Sequence, residues 1–150
     1  MEQSNNRYFE ISDSGNYVRI EPINRIHYNS QHISDENWIN TKIVVKAGVF
    51  NGEYLSYIMT SDFEHFKHEL KNLYNNLSGT ALFCPLEEQL KLSIKGDGIG
   101  HFNVDCKAQD QAGVGNLLLF DLNFDQTMIP TLISQLEIIT EAFPIIQDAV

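Results

Sequence analysis

Two segments of this chain carry the same apolar stripe at helical spacing, 66 residues apart, and each follows a stretch with the alternation of paired strands. In the first, Phe63, Phe66, Leu70, Leu73, Tyr74 and Leu77 lie on one helical face; in the second, Ile129, Leu132, Ile133, Leu136, Ile139 and Phe143 do. Phe63 coincides with Ile129, Phe66 with Leu132, Leu70 with Leu136, Leu73 with Ile139 and Leu77 with Phe143. A helix with one apolar face must bury it against another layer, and the strands before each helix supply that layer. The pattern predicts an α+β fold: a mostly antiparallel sheet of about six to eight strands with two amphipathic helices packed on one face. Duplication of a hairpin–helix unit explains the offset; chance likeness between two amphipathic helices after hairpins explains it too.

The intervening segments fill in the order. Tyr8–Ile11 and Tyr17–Glu21 read as short strands around a turn rich in Ser, Asp, Gly and Asn. Pro22–Asn37 is polar, carries His27 and His32, and reads as a strand followed by an exposed loop. Trp38–Phe50 is a long strand with Ile39, Thr41, Ile43, Val45 and Ala47 on one side, and Trp38 is expected to pack on the core at its start. Asn51-Gly52 predicts a type I′ hairpin turn with a return strand over Glu53–Met59. Ser61 with Glu64 suits a capping box for the first helix, and Gly79 its end. Thr80–Cys84, Leu90–Lys95, His101–Ala108 and Asn116–Phe124 are further strands, the third alternating Phe102, Val104, Cys106 and Ala108 with polar residues. Asp125 or Thr127 caps the last helix, Pro130 fits its first turn, and Pro144 marks its end.

The chain of 150 residues is long enough for one core without metals or disulfides, and reads as a single domain, 1–150, with residues 1–7 frayed. It has 20 acids against 10 bases, a formal charge of -10, and is acidic mainly because it lacks Lys and Arg. That weighs against a nucleic-acid backbone and against an anionic membrane, both of which need clustered bases. The charge is uneven: residues 96–150 hold eight acids and the single base Lys107. Such asymmetry marks a partner surface or simply solubility. Met1–Asn6 show no signal-peptide pattern, and Leu117–Phe120, the longest apolar run, is far too short to span a bilayer. Cys84 and Cys106 lack a short redox or zinc spacing and read as buried reduced thiols. A cytoplasmic location is expected.

No motif assembles chemistry. His65, His68 and Glu69 are neighbours on the first helix, but not in the order of a zinc helix, and they lie opposite the apolar stripe, as a solvated face does. Gly96-Asp97-Gly98-Ile99-Gly100 resembles a phosphate loop only superficially: a strand follows it, not a helix, and no Gly-Lys-Ser/Thr is present. His101 beside it is a single imidazole at a strand start, and Glu87-Glu88 are loop neighbours that point apart. No nucleophile elbow or cysteine-nucleophile signature occurs. The expectation is no catalytic residue, no cofactor and no metal. What remains is a surface: the polar sides of the strands put Asn103, Asp105, Lys107, Asp121 and Asn123 on one face, with Lys91 and Lys95 beside them if the strands pair in order. Ile138 is an isolated apolar residue on the polar side of the last helix.

Short blocks in a fixed order carry a family resemblance over about Tyr17–Phe143. They are Asn37-Trp38, Thr60-Ser61-Asp62-Phe63, Leu73-Tyr74 through Leu77-Ser78-Gly79, and Pro85-Leu86-Glu87. Gly96-Asp97-Gly98 with Gly100-His101, then Gly115-Asn116, and Asp125-Gln126-Thr127 with Pro130 complete the series. In these blocks the chain resembles the immunity proteins of the wall-associated (WapI) type of polymorphic toxin. The resemblance implies a small cytoplasmic antidote that binds and blocks a toxin's C-terminal effector domain, often a nuclease, and it transfers no catalytic residue. An acidic inhibitor suits a basic toxin surface, because complementary charge speeds encounter. The expected partner-binding residues are Asp97, Asp105, Asp110, Asp121 and Asp125, with Asp35 and Glu36 beside Trp38 as a second patch. Two other readings stand beside this one: a generic binding or scaffold domain without a toxin partner, and a metal-dependent hydrolase using His65, His68 and Glu69.

Overall fold

The computed structural model describes residues 7–26 and 37–146. The chain runs β1 (Phe9–Asp13), β2 (Asn16–Arg25), β3 (Trp38–Ala47), β4 (Phe50–Met59) and α1 (Thr60–Asn76). It continues through β5 (Ser78–Phe83), β6 (Leu90–Asp97), β7 (His101–Gln109), β8 (Leu117–Asp125) and α2 (Ile129–Ala142), with a 3₁₀ turn over Gln126–Met128 leading into α2. The α+β class and the eight strands among the described residues agree with the sequence reading. The strands form two antiparallel four-stranded sheets, β1-β2-β3-β4 and β5-β6-β7-β8, so each half is four strands followed by a helix. The repeat thus extends beyond one hairpin and its helix. Of the residues 1–7 expected to fray, only Arg7 is described, and its guanidinium lies over the Phe143 ring, 5.9 Å from the centroid; residues 1–6 and the loop with His27 and His32 lie outside the described residues.

Alternation decides which face of each strand is inward. In β3, Ile39, Thr41, Ile43 and Val45 are buried; in β7, Phe102, Val104, Cys106 and Ala108 are. The same period moves Trp38 away from its expected place: with Ile39 inward, Trp38 falls on the opposite face, half-buried in a shallow hollow with Ile26, Tyr57 and Glu87. The β3–β4 hairpin also differs from expectation. Ala47 pairs with Phe50, so the two turn residues are Gly48 and Val49, and Asn51 and Gly52 lie inside β4 opposite Lys46 and Val45. Gly48 has φ +64, and Val49 is not among the positive-φ residues. That is the type II′ requirement of glycine first, which outweighs the Asn-Gly signal here.

Helix α1 starts two residues earlier than a Ser61 cap suggests. Met59 is the N-cap, and its N–H donates to the Asp62 carboxylate at 3.0 Å, so Asp62 performs the role expected of Glu64. The helix ends at Leu77, which adopts the left-handed conformation (φ +61) and whose N–H donates to the Leu73 carbonyl at 2.8 Å; Gly79 already belongs to β5. Before the other helix the expected Asp125 cap falls on the 3₁₀ turn, where its carboxylate accepts the Thr127 N–H at 2.9 Å; α2 itself follows Met128, which makes no side-chain cap bond, and Pro130 sits in its first turn.

Both inner sheet faces and both helices share one apolar core. Its centre is a quartet of rings from three elements: Phe9 on β1, Phe63 and Phe66 on α1, and Phe83 on β5, with ring centroids 5.3–6.3 Å apart. Polar contacts also cross between the halves. Asp13 accepts the Asn123 N–H (3.0 Å), Gln135 accepts the Glu10 N–H (3.1 Å), and the Tyr54 hydroxyl donates to the Gln89 carbonyl (2.6 Å). The helices lie antiparallel, since Lys67 meets Thr140 at 3.0 Å while Lys71 meets Glu137 at 3.6 Å. With both inner faces committed to the core, the outer face of each sheet is left open.

Candidate interaction face

The outer face of the second sheet is built row by row from strand register. Lys91 pairs with Lys107, which pairs with Leu119 on β8. In the next row Leu82 pairs with Ser93, Ser93 with Asp105, and Asp105 with Asp121. The third row runs Thr80, Lys95, Asn103 and Asn123, and the Asn103 amide donates to the Asn123 amide oxygen at 3.0 Å. A fourth row brings His101 opposite Asp125, with Asp97 ending β6. The face expected from alternation, Asn103, Asp105, Lys107, Asp121 and Asn123 with Lys91 and Lys95, is thus assembled. It is hollowed into two depressions of about 640 and 650 Å³, the first around the Asp105–Asp121 row and the second around His101.

The five acids singled out in the C-terminal segment divide by what they do. The Asp97 carboxylate accepts the Ile99 N–H at 2.8 Å and the His101 N–H at 3.1 Å, and these backbone bonds hold it below the usual carboxylate value. Asp110 accepts the Asn116 N–H at 2.7 Å and so closes the β7–β8 loop. Asp125 caps the 3₁₀ turn that leads into α2, and is lowered by the Thr127 hydroxyl and N–H. Each of these three has a local structural task. Asp105 and Asp121 do not: they point outward directly across from each other, and the Asp105 carboxylate raises Asp121 above its usual value. Asp35 and Glu36 lie outside the described residues.

Sequence reasoning left out two members of this face. Leu82 and Leu119 stand at the ends of the first two rows, and Leu119 is 68% exposed. The signal was available: Leu119 is an apolar residue in the outward register of β8, whose inward set is Leu118, Phe120, Leu122 and Phe124. Asn37 was also passed over as a working residue. Its buried amide accepts the Ile146 N–H (2.7 Å) and donates to the Ile146 carbonyl (2.9 Å), tying the segment after α2 beside Thr60 at the start of α1. No local pattern announces a bond between residues so far apart in sequence.

The histidine face of α1 is an ordinary helix surface. His65 is exposed and pairs with Glu69 at 2.7 Å, and among the described residues no group of three or more His, Cys, Asp or Glu is placed to hold a metal. Burial pushes the Cys106 thiol up to about 12 and also raises Cys84, which is only half-buried and not fully buried as expected; both are unbridged. Among the described residues no helix is long and apolar enough to cross a membrane.

The chain belongs to the WapI-like immunity protein family, whose model matches residues 9–144, in agreement with the resemblance read from its short blocks. The family assigns it an immunity protein's role, with a protein toxin as the general class of partner. No curated protein and no solved structure matches the chain.

Proposed function

We propose that this chain is a cytoplasmic antidote that binds the C-terminal effector domain of a cognate toxin, a basic nuclease domain, and neutralises it by stoichiometric protein–protein inhibition without catalysis of its own. The observation that carries the reading is family membership over nearly the whole chain. The open, uneven outer sheet faces are consistent with it, because inhibition by docking needs a shaped surface and no reacting group. The acids of residues 96–150 supply part of the contact in this reading, and their excess over bases steers a basic partner toward the chain.

The test is co-expression of the chain with the effector domain encoded beside it. Protected cells and a one-to-one complex in solution are the expected results. Cells that die as readily with the chain as without it refute the reading. The steering component is read separately: association should slow markedly between low and physiological ionic strength, and an unchanged on-rate removes the charge from the mechanism.

A further inference from the structure

The second sheet's outer face is arranged against its own stability. Across β6, β7 and β8, two successive rows place like charges directly opposite: Lys91 faces Lys107, and Asp105 faces Asp121. Directly opposed like charges destabilise an isolated sheet. The register also sets the positive row next to the negative one, yet among the described residues none of these four side chains forms an ion pair with another. The first sheet is the contrast: there Lys42 reaches both Glu21 (3.5 Å) and Glu53 (3.0 Å) on neighbouring strands, and Arg19 reaches Glu10 at 3.2 Å. The first sheet therefore pairs Lys42 and Arg19 with carboxylates across its strands, while the second leaves these two rows without an ion pair. These rows line a depression of about 640 Å³ with exposed leucines, Leu82 and Leu119, at its margins. Apolar side chains bordering desolvatable charges are what a specific protein contact uses.

We propose that this face is the docking surface for the toxin domain and that it takes a protein segment of alternating charge, with a basic side chain seated between Asp105 and Asp121 and an acidic one against Lys91 and Lys107. The inference rests on the immunity reading and adds the face, the register and the partner's chemistry. An arginine suits the carboxylate row best: its planar fork donates to two acceptors at once, and a second carboxylate becomes an asset once a cation lies between the two. Charge in adjacent bands also fixes orientation, because a partner shifted by one row in either direction brings like charge against like.

The experiment measures binding of a catalytically inactivated form of the adjacent effector domain to the wild-type chain and to Asp105→Asn, Asp121→Asn, Lys107→Glu and, on the first sheet's outer face, Leu55→Ser. Thermal melting of each free variant is recorded in parallel. Asp105→Asn and Asp121→Asn are expected to weaken binding by about tenfold or more while melting at or above the wild-type temperature, since each removes a like-charge pair. Lys107→Glu should weaken binding as well, and Leu55→Ser should leave it unchanged. That split, weaker binding with no loss of stability, is the signature a purely structural role does not produce. Wild-type affinity in both Asn variants overturns the inference and leaves the immunity reading standing, as does weakening confined to Leu55→Ser. No binding by the wild-type chain overturns the immunity reading itself and this inference with it.

Discussion

Replacing Phe9 with alanine tests whether the two halves are one cooperative unit. Phe9 is fully buried on β1, and its ring meets Phe63, Phe66 and Phe83 with centroids 6.3, 5.5 and 5.4 Å away. Two of those neighbours belong to α1 and one to β5, so no single element can move in to fill the space without breaking its own contacts. Phe→Ala in a core costs about 3–5 kcal/mol, and a site this poorly able to collapse belongs near the middle of that range or above it, about 4 kcal/mol. Domains have about 5–15 kcal/mol in total, so the variant keeps its fold but with a large part of its stability removed. With a urea slope of about 2 kcal/mol/M, the midpoint falls by about 2 M. The assay follows unfolding by far-UV circular dichroism, which reports both halves, and by fluorescence of Trp38, the single tryptophan, on the first sheet. Coincident transitions shifted together are expected. A loss below about 1.5 kcal/mol shows that the quartet relaxes and is not a tight junction. A Trp38 transition that separates from the circular dichroism shows that the halves do not share one core.

Three further outcomes follow from particular contacts. A Cβ on Gly96 would sit 2.3 Å from the Leu77 carbonyl oxygen and 2.8 Å from the Phe102 ring, whereas one on Gly48 meets nothing and faces only its positive φ. Gly48→Ala should therefore cost about 1 kcal/mol in urea unfolding and Gly96→Ala clearly more; the reverse order contradicts the packing at the α1–β5 junction. Asp97 has a depressed value in the folded chain, so its contribution is present above the ordinary carboxylate value near 3.8 and is lost as pH falls below it; Asp97→Asn should flatten that acid limb of stability against pH. Asp121, shifted the other way, should oppose that fall, and Asp121→Asn should steepen the limb. A thiol reagent at neutral pH should label Cys84 before Cys106, whose buried thiol becomes reactive only on unfolding; simultaneous labelling of the native chain argues against the inward register of β7.

The fold was largely legible because its signals are local. Strand and helix periods along the chain place Ile39, Val104, Phe66 and Leu136 inward without knowledge of any partner element, and the structure buries each of them. The errors are local competitions that a nearby alternative won. Gly48 at the first turn position displaced the Asn-Gly turn, Asp62 displaced Glu64 as the residue reaching back to the N-cap, and the strand period put Trp38 on the outer face. The candidate site was legible as a face but not as an arrangement. Alternation places Asp105 and Asp121 on the same side of their strands, yet only register states that they stand directly opposite each other.

The sequence by itself determined the order of elements, the inward residues of each strand and helix, the acidic C-terminal segment and the family. All of these depend on residue type and on spacings of two to four positions along the chain, and such terms act before any long-range contact forms. Tertiary structure alone decided that the strands split into two sheets around a shared aromatic junction. It also decided that Asp97, Asp110 and Asp125 spend their carboxylates on backbone N–H groups while Asp105 and Asp121 confront each other on an open face. A carboxylate's role depends on which donors lie within hydrogen-bonding distance. That is set by the register and the turn geometry of the whole sheet, which the order of residues does not display.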